Sequence, residues 1–424
     1  MGIIFSLLLT GAAIFATLPP SATNVYVVQI ADSPVVEVTV VIPYPTGNGP
    51  LAHYTEHLVW LNTIGRTARA ADRHTNAWTN PQAIGYELTG DSKDLADLLG
   101  TLSGIFDPID LQSSFAAEER SIILREYEYR IVGNIDAQAA EALDAFLYAS
   151  NAIAASVIGT PAQINTLDDA AARDFQAQTH QPENALLVVT GAVTERQVSR
   201  ALRAAGWPRP PSDRSALTPQ PFDLAEIAQK QLRYPMPDAA PRLLWRRVVD
   251  LPDSVPFDLL EAELVLLADI LNSNLPGGLA GPLQYDAAIV RSFELQIWPI
   301  DEDSIEISFR AAPDSDVTLT TLQAVFEAEL SGIAAAGIPR DTYARVLARS
   351  DDYWPDWADE DETADWMADY VIDRVTNLQQ PLSRRALKPL KNALSLTTSN
   401  TLLRQLATEG RSASAFIGPE ETFE

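Results

Sequence analysis

The sequence predicts an α+β protein built as two similar halves. Three observations lead there. Strand-like apolar runs alternate with helical patterns throughout, a proline-rich stretch interrupts them near the middle, and 46% hydrophobic content over 424 residues is ample for more than one core.

The elements follow in chain order. "MGIIFSLLLTGAAIFATLPPSATN" is an apolar run that breaks at Pro19 and Pro20 into small residues, so residues 1–23 are expected to be a secretory signal peptide. It lacks the usual basic residue at its start, the first Lys or Arg being Arg66. The expectation is an exported chain in the periplasm or another extracytoplasmic space. Residues 24–207 read as one domain, with strands in "NVYVVQI" and "VVEVTVVI" and a buried strand in "NALLVVTGAV" that ends in glycine. "GWPRPPSDRSALTPQP" then places five prolines between Pro208 and Pro221, which neither a helix interior nor a central strand accepts. Residues 208–241 are therefore expected to be a linker. A second domain, 242–424, resumes the mixture: "LLWRRVVDL" as a strand, "PFDLLEAELVLLADILN" as a helix, "SFELQIWPI" and "SIEISFRAA" as paired strands, then "TLQAVFEAELSGIAAAG" as a helix. Its closing "SASAFIGPEE" echoes the strand and glycine of the first half, a hint of duplication.

Charge and composition exclude several classes. A formal net charge of −27 argues against a nucleic-acid partner, because neutralising phosphates takes clustered Lys and Arg. With no cysteine, disulfides and thiolate ligands are excluded, and any metal must be held by His, Asp or Glu. No phosphate-binding glycine loop and no GxSxG elbow occurs. Residues 351–369 hold nine acids and three tryptophans with no basic residue, which reads as a solvated amphipathic helix or as a docking surface for basic peptides.

Two of the four histidines fall in "GPLAHYTEHLVWLNT", four positions apart, with an acid directly before the second. On a helix His53, Glu56, His57 and Trp60 share one side, while Leu51, Tyr54, Leu58 and Leu61 form a separate apolar stripe. Both imidazoles can then converge on one ion, with Glu56 beside them to take a proton from an activated water. A third ligand is needed. In "FAAEERSIILREYEYR", Glu119, Ile122, Ile123 and Glu126 recur at helical spacing, so two carboxylates lie on an apolar face that a metal ion would make tolerable. His74 and His180 read as loop or packing residues, His74 lying near a possible substrate edge.

These residues resemble the pitrilysin and insulinase family of metallopeptidases. "HYTEH" is similar to that family's inverted zincin pattern HxxEH, and "ERSIILRE" to its distal ERxxIxxE segment. The resemblance implies a fold of two related domains, each a mostly antiparallel sheet with helices packed on one face, forming half of a clamshell around a closed chamber. It implies one zinc ion per chain on His53, His57 and Glu126, with Glu56 as the catalytic base and Glu119 as the carboxylate behind the ligands. Glu128 is the alternative third ligand. "NAWTNPQAIGYEL" is similar to the family's NAxT segment, which implies that Asn76, Ala77, Trp78 and Thr79 form a strand edge on which an extended peptide is laid. Family members commonly place an arginine and a tyrosine in the second domain to bind the substrate backbone, and this chain has Gln284 and Arg291 at the equivalent positions of "PLQYDAAIVRSF". The implied function is a zinc-dependent endopeptidase working as a homodimer or as a heterodimer with a homologous subunit. The alternative is a binding or processing subunit of the same architecture that depends on such a partner.

Overall fold

The computed structural model describes residues 24–65, 74–148, 154–207, 228–251, 255–301, 303–349 and 354–424. The expected signal peptide, residues 208–227 of the expected linker 208–241 and residues 351–353 of the acidic segment lie outside the described residues. Two compact units share the chain. The first takes the described residues within Met1–Tyr129, Ala155–Gln220 and Trp354–Arg385; the second takes those within Arg130–Ala154, Pro221–Tyr353 and Ala386–Glu424.

Numbered along the chain, the first unit holds strands β1 (Asn24–Gln29), β2 (Val36–Pro43), β3 (His74–Thr79), β4 (Ala83–Gly90) and β5 (Leu186–Gly191). They form one sheet in the order β1-β5-β2-β4-β3, in which β1 and β5 run parallel and the other pairs antiparallel. Its helices are α1 (Gly49–Trp60), α2 (Leu95–Ser103), α3 (Ser113–Tyr127), α5 (Pro161–Asn165), α6 (Asp169–Thr179), α7 (Glu195–Ala204) and α11 (Glu360–Thr376). Local chemistry sets several of their starts: Thr160 with Gln163 and Thr194 with Gln197 form capping boxes on α5 and α7. Every residue of β5 is buried, so the strand needs cover on both faces. α11 contributes by packing against β1, β5 and β2.

The acidic segment resolves into that helix and an aromatic cluster. Asp359 caps α11 by accepting from the Asp361 and Glu362 amides, while Ala364, Met367, Ala368, Val371 and Val375 are buried. The rings of Trp354, Trp357 and Trp366 lie 5.8 to 6.5 Å apart. Trp366 stacks on Tyr370 at 5.3 Å, and the Arg374 guanidinium covers the other ring at 4.9 Å. The tryptophans thus anchor an amphipathic helix.

The second unit repeats the first in topology. Strands β6 (Ala228–Pro235), β7 (Arg242–Asp250), β8 (Val290–Pro299), β9 (Ser304–Pro313) and β10 (Arg411–Gly418) pair in the order β6-β10-β7-β9-β8, and again one pair, β6 with β10, is parallel. The echo between the two strand-and-glycine endings therefore reflects equivalent strands, β5 and β10. Helices α4 (Ile135–Leu147), α8 (Phe257–Asn272), α9 (Leu319–Ala336) and α10 (Arg340–Arg349) belong to this unit. A buried charge cluster fastens α4 to the sheet: the Arg246 guanidinium bonds both oxygens of the fully buried Glu306 at 2.6 and 2.7 Å and Asp144 at 2.6 Å, and the Tyr148 hydroxyl also donates to Glu306. Among the described residues no helix is long and apolar enough to cross a membrane.

His180, at the end of α6, is 2% exposed and completes a directed hydrogen-bond chain beneath β4. Thr179 Oγ1 gives its proton to the Phe175 carbonyl at 2.8 Å, so His180 Nδ1 must donate to Thr179 at 3.0 Å and Nε2 must accept from Tyr86 at 2.9 Å. Burial pushes the His180 imidazole down to about 3. A base whose folded pKa lies below its unfolded one is fully compatible with the fold above the unfolded pKa of about 6.5 and weakens it as pH falls towards 3. His180 is expected to cost about 2 kcal/mol of stability between pH 8 and pH 5. Urea unfolding at the two pH values should show this loss shrinking in His180→Gln.

Candidate metal centre

The centre belongs to the first unit and is built on α1 and α3. Gly49 and Pro50 start α1, and the backbone of residue 157 lies so close that a Cβ on Gly49 would stand 2.8 Å from the Val157 Cα. Tyr54 and Leu58 of the apolar stripe are buried, and Leu51 and Leu61 are half-buried. That packing turns the opposite side of α1, carrying His53, Glu56 and His57, towards α3. His53 and Glu56 are buried, and His57 is largely so.

The hydroxyl of Tyr54 locks the two helices in register. It donates to Asp169 Oδ1 at the start of α6 at 2.7 Å and accepts from Arg120 of α3 at 2.7 Å, and Arg120 also bonds Asp169 at 2.7 Å. Three helices therefore meet on one buried hydroxyl. Burial pushes the Asp169 carboxyl up, but the hydrogen bonds from Tyr54 and Arg120 and the Arg120 charge more than offset it and hold it below its usual range.

This register brings His53, His57 and Glu126 together. Their ligand atoms lie within 4.8 Å of one another. His53 Nε2 and His57 Nε2 are 3.2 Å apart, and Glu126 Oε2 and Oε1 lie 3.6 and 3.7 Å from those two nitrogens. Two ligands on a tetrahedral zinc-sized ion, with bonds of roughly 2.0 to 2.1 Å, stand about 3.3 Å apart. The donor set fits such an ion. Glu119 Oε2 lies 2.8 Å from His57 Nδ1. A carboxylate only accepts, so Nδ1 carries the proton and Nε2 keeps its lone pair for the centre. Burial by itself pushes the His57 imidazole down, but the Glu119 hydrogen bond and the charges of Glu56, Glu126 and Glu119 more than offset it, and the pKa is raised.

Glu56 Oε2 lies 4.0 Å from His53 Nε2 and accepts from Thr79 Oγ1 at 3.3 Å. Glu128 is exposed on the turn after α3. Asn76, Ala77, Trp78 and Thr79 all lie on β3, which pairs with β4 on one side and forms an edge of the sheet. Asn76 Nδ2 and Trp78 Nε1 both donate to Glu87 on β4, at 3.2 and 2.6 Å. The Trp78 ring lies over Gly85, where a Cβ would come within 2.0 Å of it. His74 begins β3 and is exposed. In the second unit, Gln284 lies in the helical turn Gly281–Asp286, and Arg291 on β8 donates to the Pro313 carbonyl at 2.9 Å.

Tyr54, Arg120, Asp169 and Glu87 join this centre without being among the residues expected there. Arg120 was visible as the basic residue inside "ERSIILRE", and Glu87 could have been found by counting the hairpin register, which sets it opposite Asn76.

No family model matches the sequence. Among curated proteins, the chain is 24% identical over 162 residues to subunit 1 of the mitochondrial cytochrome b-c1 complex of Rattus norvegicus, covering 36% of this chain and 33% of that protein. It is 25% identical over 164 residues to the mitochondrial-processing peptidase subunit beta of Blastocladiella emersonii, covering 36% and 34%. The matched part spans about a third of the length of these curated relatives. Solved structures match along nearly the whole chain. A protease from Helicobacter pylori superposes with a TM-score of 0.76 at 16% identity, over 97% of this chain and 100% of that one. The first half of the periplasmic protease PqqL from Escherichia coli gives 0.78 at 15%, over 98% and 94%. An inactive peptidase M16 domain from Pseudomonas fluorescens gives 0.73 at 11%, over 97% and 99%. At these identities the likeness is one of fold.

Tyr54→Phe removes the shared hydroxyl while keeping the buried ring. It is expected to lower stability by about 1 to 2 kcal/mol, the cost of leaving buried polar partners unmatched, as read by the midpoint of urea unfolding.

Proposed function

We propose that this chain, which has the fold of the M16-like peptidases and resembles the pitrilysin and insulinase family, is a zinc-dependent endopeptidase acting on extended peptides. The observation that carries the reading is the convergence of His53, His57 and Glu126 within 4.8 Å, with Glu56 beside them. Two imidazoles and a carboxylate are a donor set suited to zinc in hydrolytic sites. A zinc ion held there supplies Lewis acidity, which acidifies water and polarises a carbonyl.

The chain's own residues do the rest. Glu119 holds His57 in the tautomer that offers Nε2, and Glu126 brings the third donor. Glu56, buried against His53, accepts the proton of the attacking water and passes it to the leaving amine. The edge of β3 takes the peptide as an added strand through its backbone, with Asn76 and Trp78 steadied from below by Glu87. The apolar N-terminal run and the likeness to a periplasmic protease support an extracytoplasmic location.

A second reading is favoured by one specific observation. The family resemblance implies an arginine and a tyrosine where this chain has Gln284 and Arg291, and Arg291 is engaged with the Pro313 carbonyl. Under that reading the chain binds or processes peptides only with a homologous partner chain that supplies those groups.

Zinc content and cleavage of a quenched peptide library, measured with and without a homologous chain, separate the two. Zinc with cleavage by the chain alone supports the endopeptidase, and cleavage that needs the partner supports the second reading. Glu56→Gln is expected to keep one zinc per chain and lose about 10²- to 10⁴-fold in turnover. His53→Ala, His57→Ala and Glu126→Ala are each expected to lose the metal by elemental analysis, and undiminished zinc in any of them refutes that ligand. Glu119→Ala should bind zinc about 10- to 100-fold more weakly in competition with a chelator.

A further inference from the structure

The proposed base and the strand proposed to receive the peptide meet at one side chain. Thr79 is the last residue of β3, and its Oγ1–H donates to Glu56 Oε2 at 3.3 Å, the same oxygen that lies 4.0 Å from His53 Nε2. A carboxylate turns easily about its terminal torsion, so a buried base needs a partner to stay aimed. A hydroxyl donating to a charged oxygen in a place poor in water is an effective one.

Thr79 can serve as that partner because its own position is fixed. The next residue, Asn80, organises the β3–β4 turn: its Oδ1 accepts from the Gln82 and Ala83 amides at 2.9 and 2.7 Å, and its amide donates to the Ala83 carbonyl at 2.9 Å. Tyr44 donates to the Asn80 carbonyl at 2.5 Å, and Asn80 Nδ2 donates to the Thr376 carbonyl at the end of α11 at 3.1 Å. The β-branched side chain adds a restricted χ1, which directs the hydroxyl at α1. The turn end of the hairpin is thus tied down from several sides, while the outer edge of β3 pairs with no described strand.

We infer that Thr79 is a positioning residue that aims Glu56, so that the strand taking the peptide also sets the orientation of the base. The inference rests on the reading of Glu56 as the base and of β3 as the peptide edge. It assigns the Thr79 hydroxyl a task separate from any backbone contact with the peptide.

The test uses the zinc-loaded full chain and a quenched peptide from the library that the wild-type protein cleaves. Thr79→Val keeps the shape and removes the donor, and Thr79→Ser keeps the donor. Thr79→Val is expected to lower kcat roughly 10-fold, with KM changed less than about twofold. Zinc per chain should be unchanged, as should peptide affinity by fluorescence anisotropy in the Glu56→Gln background. Thr79→Ser should restore most of kcat. Wild-type kcat in Thr79→Val, or an equal loss in Thr79→Ser, overturns the inference, and a loss confined to KM and peptide affinity reduces Thr79 to a strand contact. Glu56→Gln keeps the readings apart. If it is inactive while Thr79→Val is fully active, this inference alone fails; if it remains active, or the wild type cleaves nothing, the proposed function fails with it.

Discussion

The centre depends on the spacing between two helices. His53 and His57 come from α1, and Glu119 and Glu126 come from α3, so each contact among them is set by how the helices are held together. Apolar burial is non-directional and does not by itself select one register of α1 against α3. The buried hydroxyl of Tyr54, shared by Arg120 and Asp169 at 2.7 Å each, supplies directional bonds that do. Directional bonds to a charged pair set the helix register, and the register sets the ligand distances. The 2.8 Å bond between Glu119 and His57 is a second tie between the same helices. It fixes a tautomer as well as a position, so fold and chemistry share one interaction.

The two sheets share a topology and carry different charge clusters. Both units have the same strand order and the same single parallel pair. In the second unit the partly buried Arg246 is enclosed by Glu306, Asp144 and Tyr148, and its charge is matched locally. Such a cluster fastens α4 in place and leaves little for a ligand to do. In the first unit three carboxylates gather around two imidazoles. One scaffold therefore carries a closed electrostatic arrangement in one copy and a cation-seeking arrangement in the other.

Much of this was legible in the sequence because it is periodic. The spacing of four between His53 and His57 and of seven between Glu119 and Glu126 needs only a helix to become geometry, and both segments are helices. Strand runs such as "NALLVVTGAV" are equally local. Contacts between separate segments were not legible. An amphipathic pattern states that a helix has a partner, not which one, so nothing in residues 130–154 or 354–385 says which sheet each will cover. Arg120 and Asp169 lie 49 positions apart and Glu56 and Thr79 lie 23 apart; neither pair has a spacing rule that would join them.

The histidines of the first unit argue for what the centre is suited to hold. His180 and His57 are both withdrawn from water, and burial drives both imidazoles towards the neutral form. Among the described residues the His180 ring hydrogen-bonds the hydroxyls of Tyr86 and Thr179, and its pKa falls to about 3. His57 lies among Glu119, Glu56 and Glu126, and its pKa rises although burial pushes it down. The carboxylates are what differ: at the His57 ring the local potential favours positive charge strongly enough to overcome desolvation. A proton answers that potential with one charge on one nitrogen. A divalent ion held by His53, His57 and Glu126 would answer it with two.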